Sequence, residues 1–139
     1  MRYKRDSRYY MLKIVRGEEV IEELLKFAKE ESINAAAFHG IGACNKAEIA
    51  FYNIDSKEYE PMKIEEEMEI TSIVGNIAML DDEYKVHAHI TLSDRNMKVI
   101  GGHLNKAIIS GACEIFLTKL DYRLSRKYDH DTGLNLLDI

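Results

Sequence analysis

Residues 86–104 read VHAHITLSDRNMKVIGGHL. Val86, Ala88, Ile90 and Leu92 alternate with His87, His89, Thr91 and Ser93, the period of a strand with one apolar and one polar face. A turn-forming SDRN follows, and then a second apolar run, MKVIGGHL. Two strand-like runs joined by so few residues can only pair antiparallel, because a parallel pair needs a crossover of a dozen residues or more. The fold therefore contains an antiparallel sheet, and three of the chain's five histidines, His87, His89 and His103, stand beside one of its hairpins.

The turn decides where His103 points. A two-residue turn at Asp94-Arg95 would set His103 opposite Val86, on the apolar face. A three-residue loop, Asp94-Arg95-Asn96, sets it opposite His87, on the polar face. The second is expected, because asparagine tolerates the left-handed conformation that the third loop position requires. Gly101-Gly102 is a further candidate for a face-switching bulge.

Upstream, the period changes. In GEEVIEELLKFAKEES (17–32), Val20, Ile21, Leu24, Leu25 and Ala28 form one helical stripe, with Phe27 on its margin. Glu18 and Glu19 at the start, and Lys26 and Lys29 toward the end, suit the helix dipole. Residues 8–16 alternate as a strand with Tyr10, Leu12 and Ile14 on one side. INAAAFHGIGACNKAEIAFYN (33–53) reads as a strand, a glycine-marked turn and a second strand, its alanines 35–37 suited to close packing. Tyr59–Ile64 is an edge-strand candidate, since Pro61 cannot donate to a central ladder. EEEMEITSIVGNIAML is a longer strand with a bend expected at Gly75, and Asp81-Asp82-Glu83 is a turn. A loop through Gly111 and a last strand near CEIFLTKLDYRL complete the chain. One helix among strands joined by hairpin-sized turns predicts an α+β fold: a mostly antiparallel sheet packed against one main helix, as a single domain over residues 1–139.

The totals narrow the function classes. Nineteen Lys+Arg against 24 Asp+Glu leave a net charge of −5, which does not suit a surface that neutralises duplex phosphates. The clusters Arg2, Lys4, Arg5, Arg8 and Arg123, Arg126, Lys127 read as solvated strand ends. Cys44 and Cys113 stand in no CxxC arrangement and read as reduced, packed thiols. No apolar run approaches the roughly 20 residues of a membrane span, and MRYKRDSRYY lacks a signal-peptide core. A cytoplasmic protein is expected, with no membrane partner.

The histidines carry the chemical question. Imidazoles at i and i+2 on one strand face, with a third from the adjacent strand, can converge on a divalent ion. Zinc is the ion expected, with an open fourth position. A lone His-x-His on a polar face is more often a hydrogen-bonded pair, so the third ring is what raises the metal reading. His39 reads as a packed or hydrogen-bonded residue. No GxSxG, HExxH or P-loop is present, and GIGAC lacks dinucleotide-fingerprint spacing.

GIGACNKAEIAFYN, MEITSIVGNIA and HAHITLSDRNMKVIGGHL together resemble the plant-and-prokaryote conserved (PPC) domain, over residues 8–137. The resemblance implies an α+β subunit assembled as a homotrimer. Its stand-alone prokaryotic members are commonly described as DNA-binding, while in plants the domain follows an AT-hook and mediates self-association and contact with regulatory proteins. The Arg-Gly-Arg-Pro core of that hook is missing here, since the single proline, Pro61, follows Glu60. Three classes stay open: an oligomeric regulatory module acting with DNA or a protein, a metal-dependent enzyme on a small molecule, and a metal- or ligand-binding protein without turnover. For an enzyme, Asp94 and Glu114 are the carboxylates weighed as general base.

Overall fold

The computed structural model describes residues 1–139. Its elements are β1 (Arg2–Asp6), β2 (Tyr9–Val15), α1 (Val20–Glu30), β3 (Ala36–Asn53), β4 (Glu58–Ile64), β5 (Met68–Leu80), β6 (Glu83–Ser93), β7 (Val99–Lys119), β8 (Ser125–Asp129) and β9 (Leu134–Asp138). The α+β expectation holds: one helix, and strand pairs that are antiparallel save a single parallel contact between β5 and β8.

Hydrogen bonding closes the sheet on itself. β3 pairs with β5, β5 with β6, β6 with β7, and β7 with β3. Two long strands make this possible, β3 with 18 residues and β7 with 21. Register shifts between them at Gly42/Cys44, Cys44/Lys46 and Glu48/Ile49 let both bend around the ring. The turn expected at GIGAC and the loop expected at Gly111 are therefore corrected to continuous strand. Glycine at 42 answers a different need: a Cβ there would lie 2.4 Å from the Ala112 carbonyl oxygen of β7. The irregularity in β5 falls between Ile70 and Ser72 rather than at Gly75.

The helix docks through Val20, Leu24, Phe27 and Ala28, all fully buried. Phe27 belongs to this stripe rather than its margin, meeting Tyr3 and Tyr10 edge-on at centroid distances of 5.0 and 5.2 Å. Glu19 is the N-cap, accepting from the Glu22 N–H at 2.7 Å, and its other oxygen accepts from the Ala107 N–H of β7 at 2.9 Å. One buried carboxylate thus ties the helix start to the sheet. Cys44 and Cys113 lie in the same core as free thiols, and burial pushes them up to about 11 and about 12.

β4 is an edge strand paired only with β3, as Pro61 requires. Asp81 and Asp82, both at positive φ, make the two-residue turn between β5 and β6, the left-handed pair that such hairpins demand. The last strand expected near residues 113–124 is instead the end of β7. The segment beyond forms a further hairpin, β8–β9, whose loop is held by Asp129 accepting from Thr132 and by Gly133 at positive φ. No helix is long and apolar enough to cross a membrane.

Candidate metal centre

Ala88, Ile90 and Leu92 of β6 point into the core, with at most 2% exposure. Period 2 then sends His87 and His89 to the outer face. His103 of β7 joins them, paired directly opposite His89 rather than His87. The loop is three residues long, as expected, but it is Arg95-Asn96-Met97. Asp94 N–H donates to the Lys98 carbonyl at 2.9 Å, and Met97 takes the left-handed position at φ 62°. The reason lies in Asp94, whose Oδ1 accepts from the N–H groups of Asn96 at 2.7 Å and Lys98 at 2.9 Å. Two side-chain bonds at the turn start outweigh the advantage of Asn over Met at one left-handed residue.

No bulge forms at Gly101-Gly102, where the β6–β7 ladder is regular. A Cβ on Gly102 would instead lie 2.7 Å from the Ala50 carbonyl oxygen, so glycine lets β3 approach behind His103.

The three rings form a cluster. Their centroids are 5.3 Å apart for His87–His89, 5.1 Å for His87–His103 and 5.6 Å for His89–His103. One nitrogen from each lies within 4.8 Å of the others. His103 Nδ1 is buried and has no hydrogen-bond partner. Burial and the neighbouring imidazoles hold His103 down at about 4. His87 is lowered by burial first, then by Arg126 and His89. Both rings are therefore neutral near pH 7, the form that donates a lone pair.

The cluster floors a cavity of about 940 Å³, walled by Tyr52 of β3, Tyr59 of β4 and the β8–β9 hairpin with Arg126, Leu134, Asn135 and Leu136. Tyr59 lies against His103 at 4.8 Å between centroids, and the Tyr52 hydroxyl donates to the Thr132 carbonyl at 2.6 Å. No carboxylate lines the cavity; its charged side chains are Lys57, Lys85 and Arg126. Asp94 is spent on its own loop, and Glu114 pairs in register with Lys13 and Ile41, away from the cluster. Neither is a base for this site. His39 also lies apart, stacked on Phe116 at 5.5 Å.

Arg126 corrects the reading of its basic cluster as solvated. It is half-buried, donating to Asn135 O at 2.8 Å and Asn76 Oδ1 at 2.6 Å. Sequence reasoning missed it because nothing near residue 126 marks a strand that folds back over the histidines.

The profile of the Plants and Prokaryotes Conserved (PCC) domain matches residues 1–121. The chain belongs to this family. A presumed DNA-binding protein from Bacteroides thetaiotaomicron has a solved structure with 34% identity, 99% of this chain and 96% of that one covered, and a TM-score of 0.95. A metal-containing protein from Archaeoglobus fulgidus shares 31% identity over 100% of this chain and 99% of its own, with a TM-score of 0.90. Among curated sequences, the bifunctional protein GlmU of Synechococcus sp. strain JA-3-3Ab is 28% identical over 91% of this chain. The chain spans only 20% of that relative's length.

Proposed function

We propose that this PCC-domain protein binds one divalent metal ion per chain through His87, His89 and His103, with zinc the expected ion. The observation that carries the reading is the meeting of three imidazoles from adjacent strands, one nitrogen from each within 4.8 Å of the others. Ligand nitrogens about 2.1 Å from a tetrahedral zinc stand roughly 3.4 Å apart, so modest ring rotations suffice. A buried ring nitrogen without a partner, as at His103, costs about 1–3 kcal/mol, and coordination offers this cluster the partners the chain withholds. The metal-containing relative from Archaeoglobus fulgidus supports the same reading.

Three neutral ligands leave an open position, where a bound ion supplies Lewis acidity and an acidified water. With no carboxylate in the cavity, the chain contributes no general base of its own. This favours a metal- and ligand-binding role over hydrolysis driven by a protein base. Elemental analysis of protein purified without an affinity tag tests the proposal. One ion per chain is expected; metal-free protein that ignores added zinc would refute it.

Self-association as a homotrimer belongs to the same proposal. Met11, Phe116, His39 and Val74 form one cross-strand row over β2, β7, β3 and β5, and its three apolar members are 38%, 52% and 50% exposed. Ile41, 59% exposed, adds to this band. An apolar band on a sheet is the kind of surface that joins subunits. Sedimentation velocity showing a clean monomer at working concentration would remove the trimer.

Two structural relatives are described as presumed DNA-binding proteins. Direct contact with bare duplex is expected to be weak here, given the net charge of −5. A gel-shift titration over salt decides it, since submicromolar affinity with a steep salt slope would overturn that expectation.

A further inference from the structure

The cavity above the histidines has an unbalanced charge. Arg126 bonds only neutral partners, Asn76 and Asn135, and its Nε is buried with none. Asn76 is the residue directly opposite His87 in the β5–β6 ladder, so this bond holds the guanidinium beside the metal cluster. Lys57, exposed at the same cavity, donates to the His130 carbonyl, and Lys85 is paired with Glu83 at 3.0 Å, so Arg126 is the half-buried cation left without a carboxylate. A divalent ion on three neutral imidazoles would add two more positive charges to a lining that holds no acid. Buried or half-buried charge of one sign is costly until a counter-charge enters. A guanidinium has five N–H donors in a planar fork, and only two of those of Arg126 are used within the chain.

We infer that the cavity over His87, His89 and His103 binds a small organic carboxylate, held between the open metal position and the free N–H groups of Arg126. The inference rests on the metal reading. An organic carboxylate fits better than inorganic phosphate because, beside its polar groups, the wall offers apolar and aromatic side chains, Leu134, Leu136 and Tyr59, to an organic tail. The volume of about 940 Å³ leaves room for an organic tail beyond the acid group. Burial also lowers the pKa of Arg126 from its ordinary value, since desolvation penalises the charged form.

The cobalt(II)-loaded protein provides the test, since its visible spectrum reports on the open coordination position. Titration with acetate should perturb the spectrum saturably, while neutral acetamide at the same concentrations should not. Butyrate should bind several-fold tighter than acetate, and inorganic phosphate more weakly. Affinity per bound cobalt should fall at least tenfold in Arg126→Gln and by less in Arg126→Lys, which keeps the charge but loses the fork. Equal responses to acetate and acetamide, phosphate binding tighter than butyrate, or unchanged acetate affinity in Arg126→Gln would each overturn the inference with the metal site intact. Cobalt failing to bind at all would sink the metal reading, and the metal-bridged carboxylate with it. The acetate–acetamide arm uses the unaltered chain, so a variant that loses its β8–β9 hairpin does not blunt the test.

Discussion

On the inner face of the β6–β7 hairpin, Ile90 and Leu92 are 2% and 0% exposed in the closed core; on its outer face, one residue away along the same strand, His87 and His89 look into an open cavity. The backbone, pairing and glycine content are shared, so the difference lies in what each face meets. The inner side chains meet other apolar groups and store folding energy. Of the outer rings, His87 and His103 are lowered in pKa first by burial and then by neighbouring charge, Arg126 and His89 at His87 and the other two imidazoles at His103. One face is built for stability, and the other holds polar atoms, His103 Nδ1 and, above it, Arg126 Nε, that find no partner within the chain.

That contrast can be broken by substitution. Ile90→Ala should remove about 2–5 kcal/mol of unfolding free energy, measured by denaturant titration with a chelator present, and leave metal stoichiometry unchanged in the folded fraction. His103→Ala should do the reverse. Metal affinity should fall more than about 100-fold, equivalent to about 2.7 kcal/mol, while the stability of the metal-stripped protein shifts by less than about 1 kcal/mol. Competition with a chromogenic chelator reads the first quantity and thermal melting the second. A His103→Ala protein that unfolds when stripped would erase the distinction between the faces.

A smaller effect sharpens the comparison from the helix side. Glu19→Ala should cost about 1–2 kcal/mol by losing the cap on α1 and orphaning the Ala107 N–H. Chemical denaturation should show it, without change in metal affinity. A further test is a pH dependence. His103 titrates at about 4 in the folded chain against 6.5 when unperturbed, so between those values the unfolded chain binds the extra proton. The stability of stripped protein should therefore be flat above pH 6.5, fall as pH drops toward 4, and level below. In His103→Ala that part of the fall should vanish.

The outer placement of the histidines was legible because period 2 is a local property of the strand. The α+β class and the helix were equally legible, each resting on a pattern within about a dozen residues. Phe27 was misplaced because the helical stripe was drawn without the aromatic pair, Tyr3 and Tyr10, that receives it. GIGAC was read as a turn because glycine usually marks one; here Gly42 clears a path for Ala112 of β7, a strand 70 positions later in the chain. Arg126 escaped notice for the same kind of reason, since its partners Asn76 and Asn135 come from β5 and β9.

Sequence by itself settled that His87 and His89 share the polar side of one antiparallel hairpin, and the three-residue loop it favoured set His103 on that side too, despite an error of two in the register. A shift by two residues preserves the face of every strand side chain, because the repeat is two. Tertiary structure alone decided what covers that face. The ring closed by β3, β5, β6 and β7, and the β8–β9 hairpin that brings Arg126 over the imidazoles, depend on contacts between segments tens of residues apart, which no local period encodes.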